Sequence, residues 1–188
     1  MAVVAVAVWA ACGSGGAEAP RRPSELVNFQ LGPEHSHWLV GPVARMATPG
    51  EVEEYLALAG DFAAIDFIQA FWRRRDPAPE EPGNPVRRTF ERRVREADRL
   101  YSEAGVLGRR TPRGTVYVLY GEPESVEFEI APDGPPPIEV WKYPANAPPG
   151  LDGERPERFY RFRKQGDLTR RYQPGAPRRP RPPGPGAA

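Results

Sequence analysis

Between Phe71 and Pro123 one unbroken stretch carries the signals that stop a helix, start another and open a strand. Phe71-Trp72-Arg73-Arg74-Arg75-Asp76-Pro77 is a helix end. Cations favour the negative end of the helix dipole, and the residue before a proline is pushed out of the helical region. Ala78 to Gly83 is a rigid bend. Asn84-Pro85 starts the next helix, asparagine as cap and proline at the first helical position. Val86, Phe90, Val94, Ala97 and Tyr101 then share one face, while Glu91 and Arg95 form an i, i+4 pair on the other. Gly108 to Gly114 reads as turn chemistry, with both glycines free to take positive φ; the alternative is an anion cradle beside Arg109, Arg110 and Arg113, though without the Gly-Lys-Ser/Thr ending of a P-loop. From Thr115 the period changes to two. Val116, Val118 and Tyr120 alternate with Tyr117 and Leu119; both faces are apolar, which predicts a central strand.

Upstream, Thr48-Pro49-Gly50-Glu51 is a capping box with proline at the first helical position. Val52, Tyr55, Leu56 and Ala59 follow at helical spacing until Gly60, and Asp61 can cap the next helix. There, Ile65, Ile68, Phe71 and Trp72 form the apolar stripe. Downstream, Val126, Phe128 and Ile130 alternate with Glu127 and Glu129, a strand with one wet face. Ile138 to Tyr143 is another strand, and Arg158–Lys164 with Leu168–Tyr172 reads as a hairpin turning at Gly166. The fold class is α+β: three N-terminal helices packed on a mainly antiparallel sheet of about five strands.

The two ends differ from this middle. Of the 188 residues, 25 are proline and 19 glycine, and much of that excess sits near the termini. Residues 1–11 are apolar and uncharged, too short to span a bilayer but of the length of a signal-peptide core. Ala10-Ala11-Cys12 resembles a bacterial lipobox, so Cys12 is the expected lipidation site and the membrane the expected partner. Trp9 stands where such boxes carry leucine, and no Lys or Arg precedes the apolar run. The reading divides the chain into a signal and anchor (1–12), a linker (13–37), a domain (38–173) and a Pro/Arg-rich tail too poor in apolar residues to fold (174–188). Such a chain sits in the bacterial cell envelope, or is secreted.

Phe71-Trp72-x-x-Arg75-Asp76-Pro77, the proline-rich bend, Gly108-x-x-Thr111-x-Arg113-Gly114, Gly121-x-Pro123 and Ile138-Glu-Val-Trp-Lys-Tyr143 together resemble the GWxTD domain family of bacteria. The resemblance covers roughly Met46 to Tyr172. The name-giving motif departs from the family at two positions: its Trp is Arg109 here and its Asp is Pro112. The family implies a domain identity and an exported protein, with no activity to carry over.

Function classes narrow accordingly. Lys+Arg 26 against Asp+Glu 25 leaves a net charge of +1, so no global field favours nucleic acid. A single cysteine excludes an intrachain disulfide and a cysteine metal site. His35 and His37 lie at i, i+2 but lack further ligands, so no metal is expected. The arginines and aromatics between Arg158 and Tyr172 could stack bases, yet they equally describe a half-buried strand with a basic face; with export, no nucleic-acid partner is expected. Arg75, Asp76, Arg113 and Tyr117 are the candidate binding residues. Asp76 reads either as a structural pair or cap, or as a carboxylate in a cleft. No nucleophile–base set, paired carboxylates or cofactor motif stands out, so no catalytic residue and no cofactor are assigned. The expectation is a non-catalytic envelope domain with a protein partner; the alternative is a small-molecule binder or enzyme with its site near Asp76 and Arg113.

Overall fold

The computed structural model describes residues 21–173. Five helices and four strands follow in the order α1 (Val43–Met46), α2 (Pro49–Leu56), α3 (Asp61–Arg74), α4 (Pro85–Tyr101), α5 (Pro112–Tyr120), β1 (Ser125–Glu129), β2 (Ile138–Lys142), β3 (Phe159–Gln165) and β4 (Leu168–Arg171). The fold is α+β, helices first and an antiparallel sheet after them.

Helix starts follow side-chain chemistry. At α2, the Thr48 hydroxyl accepts the Glu51 N–H while the Glu51 carboxylate accepts the Thr48 N–H. At α4, Asn84 Oδ1 accepts the Arg87 N–H at 2.9 Å, and its amide donates to the Trp72 carbonyl at 2.7 Å. The α4 stripe is as expected: Val94 and Ala97 are buried in one core with Phe90 and Tyr101 packed against it, and Val86 packs against the other. Its surface pair is Arg87 with Glu91, rather than Glu91 with Arg95.

The run expected to be a central strand is α5. Thr111-Pro112 repeats the cap-plus-proline start of α2 and α4: the Thr111 hydroxyl accepts the Gly114 N–H. The alternation misled because Val116, Tyr117, Val118 and Leu119 are all buried. A short helix apolar all round cannot be told from a buried strand by period. Centrality itself holds, since Leu119 belongs to the core under α1–α3 and Val116, Tyr117 and Val118 to the core under the sheet. At its C-terminus the Arg93 guanidinium donates to the Val118 and Leu119 carbonyls at 3.1 and 2.9 Å. Gly121 follows at φ +83°, where an added Cβ would meet that guanidinium.

Two further expectations change. On α3 the buried positions are Ala64, Phe67, Phe71 and Trp72, while Ile65 is 38% exposed. Trp38 selects that face: its ring lies 5.0 Å from Phe71 and 6.0 Å from Phe67. Gly60, not Asp61, occupies the cap position, and Asp61 instead accepts the Gly32 N–H and pairs with His35 Nδ1. Residues 23–37, expected as part of a linker, are folded into the domain. Leu26 and Leu31 lie in the first core, and the buried Asn28 amide donates to the Tyr55 and Leu58 carbonyls. A four-residue 3-10 helix at Pro23–Leu26 and hydrogen-bonded turns hold this segment, too short for a period to announce it.

The sheet has four strands in the order β1-β2-β3-β4, every neighbour antiparallel. With 115–120 helical, the expected fifth strand is gone. Trp141, Tyr160 and Phe162 pack with Val94, Ala97 and α5 in the second core. On the opposite face Ile138 and Val140 pack with Ala131 and Tyr172. On the outer edge of β4, the Thr169 N–H and hydroxyl both donate to Glu103, at 2.6 and 2.7 Å. β1 keeps its alternation, but its apolar positions are open, Val126 at 47% and Phe128 at 69% exposure.

Candidate functional site

The four candidate residues do not converge on one cleft. Arg75 is a clamp at the end of α3. Its guanidinium makes two hydrogen bonds to the Glu51 carboxylate at 3.0 and 2.6 Å, donates to the Met46 carbonyl at 2.8 Å, and lies 3.6 Å over the Phe71 ring. Asp76 beside it accepts the Ala78 N–H at 3.2 Å, a local turn bond. Arg113, on α5, bridges Glu103 at 3.2 Å and Glu139 at 3.1 Å and sits over Tyr101. Glu139 also accepts the Trp141 indole N–H, and Glu103 holds Thr169. This network ties α5 to β2 and β4, and every carboxylate in it is paired. Tyr117 packs 5.6 Å from Tyr101. Burial, then a hydrogen bond with Glu96, pushes the Tyr117 hydroxyl above its ordinary range, and burial pushes Tyr101 up to about 12. Neither phenol is tuned toward neutral pH, where a general base would work.

Glu51 is the most perturbed carboxylate among the described residues. Burial pushes it up, but hydrogen bonds from Arg75, the Thr48 N–H and Arg74 outweigh burial and bring its pKa down to about 2. The histidines are likewise engaged separately. His35 Nδ1 faces Asp61 at 3.0 Å, and His37 Nδ1 faces the Ser36 hydroxyl at 2.8 Å. Among the described residues no three His, Cys, Asp or Glu side chains gather as a metal set, and no helix is long and apolar enough to cross a membrane. Cys12 lies outside the described residues.

A groove of about 700 Å³ offers what those residues do not. It lies where the segment around Leu26, helices α1 and α2, helix α5 and strand β3 meet, and its walls include Leu26, Val40, Val52, Val116, Leu119 and Tyr160. Four arginines stand around it: Arg21, Arg45, Arg110 and Arg171. Arg171 is neutralised by Glu157 at 2.9 Å and lies over the Tyr160 ring; Arg21 reaches Glu53 at 3.4 Å. Arg45 and Arg110 have no carboxylate partner among the described residues. The volume is that of a small-ligand site, and two uncompensated cations at its lip favour an anionic group. Sequence reasoning singled out neither Arg45 nor the groove. The sequence offers Arg110 as part of a turn, or as one of three arginines beside an anion cradle between Gly108 and Gly114.

The segment from Gly108 to Gly114 forms part of the frame around this groove. A Cβ on Gly108 would overlap the Ala97 carbonyl oxygen, and one on Gly114 would overlap the Gly108 carbonyl oxygen. Thr111, 2% exposed, donates its hydroxyl to the Gly108 carbonyl while capping α5. A model of the GWxTD domain matches residues 33–164. The chain belongs to the GWxTD domain family. No curated protein and no solved structure matches it. The two departures from the GWxTD motif have physical equivalents in place. Arg109, at the Trp position, pairs through its guanidinium and its N–H with Asp98. Pro112, at the Asp position, is the first residue of α5, where a proline's fixed φ and a carboxylate's charge both favour a helix start. Glycine contacts and a threonine cap account for the rest of the motif without a ligand.

Proposed function

We propose that this GWxTD domain is a non-catalytic binding module of the bacterial cell envelope, tethered through a lipidated Cys12, whose groove takes a small amphiphile with an anionic head. The groove carries this reading: about 700 Å³ along largely apolar walls, with Arg45 and Arg110 lining it and without a carboxylate partner among the described residues. The carboxylates a catalytic reading would need are engaged elsewhere, Glu51 by Arg75 and both Glu103 and Glu139 by Arg113. The tether rests on Ala10-Ala11-Cys12 at the end of an uncharged apolar run.

The ligand reading is tested with cis-parinaric acid, a fluorescent fatty acid, titrated into the full chain against its methyl ester. Saturable binding is expected, weaker for the ester by about tenfold, the equivalent of roughly 1.4 kcal/mol. Arg45→Ala with Arg110→Ala should remove most of that difference while leaving the ester's affinity unchanged. Equal affinity for acid and ester would sink the anion reading; absence of binding would sink the groove. The tether is tested separately. Cys12→Ser is expected to abolish acyl labelling and to move the protein out of the membrane fraction, and unchanged fractionation would remove the anchor.

A further inference from the structure

The side of β1 away from β2 pairs with no strand, and among the described residues no side chain caps its backbone, whereas on the β4 edge Glu103 takes the Thr169 N–H. Antiparallel geometry leaves alternate N–H and C=O groups of such a strand pointing outward. Natural sheets blunt an edge with charged side chains, proline or a bulge; Ser-Val-Glu-Phe-Glu pairs in continuous register with β2, has no proline, lysine or bulge, and is guarded only by its glutamates, which a basic partner would meet favourably. Its side chains divide cleanly. Val126 and Phe128 stand opposite Trp141 and Glu139 on the sheet's helix-facing side, beyond the cover of α4 and α5 and exposed. Ser125, Glu127 and Glu129 stand on the other side. Glu129 is held by Arg161, whereas Glu127 meets only the Ser125 hydroxyl at 3.4 Å. Glu124 precedes the strand and Ile130, 93% exposed, follows it.

We propose that β1 is a docking edge for an extended segment of a partner protein in which basic and apolar residues alternate, added to the sheet as a fifth strand. Main-chain hydrogen bonds supply affinity in this mode and alternate side chains supply specificity. Apolar residues of the added strand would lie beside Val126 and Phe128, and cations beside Glu127. Opposite charges and aromatic–aliphatic pairs are the favourable cross-strand combinations. β3 shows the pattern at work in this sheet: Tyr160 and Phe162 join the core while Arg161, on the other face, reaches past β2 to Glu129. A second copy is the weaker occupant, because edge-to-edge pairing lines the glutamates of both β1 strands along one seam, and like charges oppose it.

The test uses the full chain and two capped peptides, Lys-Val-Lys-Phe-Lys-Val-Lys and Glu-Val-Glu-Phe-Glu-Val-Glu, followed by amide hydrogen exchange and binding titration. The basic peptide is expected to bind and to protect amides within 125–129, more weakly as salt rises. Phe128→Ser should weaken it about tenfold, and Glu127→Lys should transfer the preference to the acidic peptide. Both positions are solvent-facing, so near-UV circular dichroism should stay unchanged in either variant. The proposal is overturned if the two peptides bind alike, if neither substitution changes affinity, or if protection appears elsewhere. It is also overturned, in favour of a second copy, if the chain self-associates through Phe128 and binds neither peptide.

Discussion

Gly114→Ala is expected to cost well over 3 kcal/mol, enough to leave much of the population unfolded at room temperature. The new Cβ would overlap the Gly108 carbonyl oxygen and lie 3.2 Å from the Arg109 nitrogen. Both are backbone atoms, so no side chain can rotate away. Overpacking commonly costs about 1–3 kcal/mol where side chains can yield, and here α5 itself must shift. That shift would pull the Thr111 cap off the Gly114 N–H and disturb both cores, which α5 joins. Gly108→Ala meets the same obstacle at the Ala97 carbonyl. Gly50→Ala is the control: nothing lies near its added Cβ, and the residue sits in the first turn of α2. That substitution should stabilise by about 0.4–1 kcal/mol. Urea denaturation followed by far-UV circular dichroism separates the three. A Gly114→Ala protein within about 1 kcal/mol of the parent would mean the turn has room this packing denies.

The second large effect is pH-dependent. Glu51→Gln is expected to cost about 2–3 kcal/mol at pH 7, because it removes the carboxylate that Arg75 and Arg74 share and leaves the partly buried Arg75 unpaired. The sign follows from the depressed pKa. An ordinary carboxylate of this type titrates at 4.5 and Glu51 at about 2 in the folded chain. Its contribution is therefore fully present above about 4.5 and is lost as pH falls toward 2. The gap in denaturation midpoint between parent and Glu51→Gln should be widest at neutral pH, narrow below 4.5 and nearly close at pH 2. A gap that stays constant down to pH 2 would show that the charge on Glu51 is not what holds the α2–α3 junction.

The Phe71–Pro123 stretch shows what residue chemistry can and cannot announce. Asn84-Pro85 and Thr48-Pro49 each opened a helix as read, because the cap is local: side chain and backbone partner lie three residues apart. Thr111-Pro112 has the same form, yet the apolar run after it reads as a strand when only the period is weighed. Deciding between them requires knowing that α5 is surrounded by core on all sides, which is a tertiary fact. Arg75, Asp76 and Arg113 looked available because their partners were invisible. Arg75 is matched by Glu51, 24 positions away, and Arg113 by Glu139, 26 positions away. The groove was illegible for a related reason: its lining is drawn from separate segments between Arg21 and Gln173, with no spacing to detect. Arg45 and Arg110 are notable only for the carboxylates they lack among the described residues, and no local pattern records an absence.

Arg21, just before the 3-10 turn Pro23–Leu26, and Gln173, just after β4, both line that groove. The path of the chain into the first core and its path out of the sheet therefore border one groove. Whatever fills it touches both segments, and an occupied groove should resist their separation longer than an empty one.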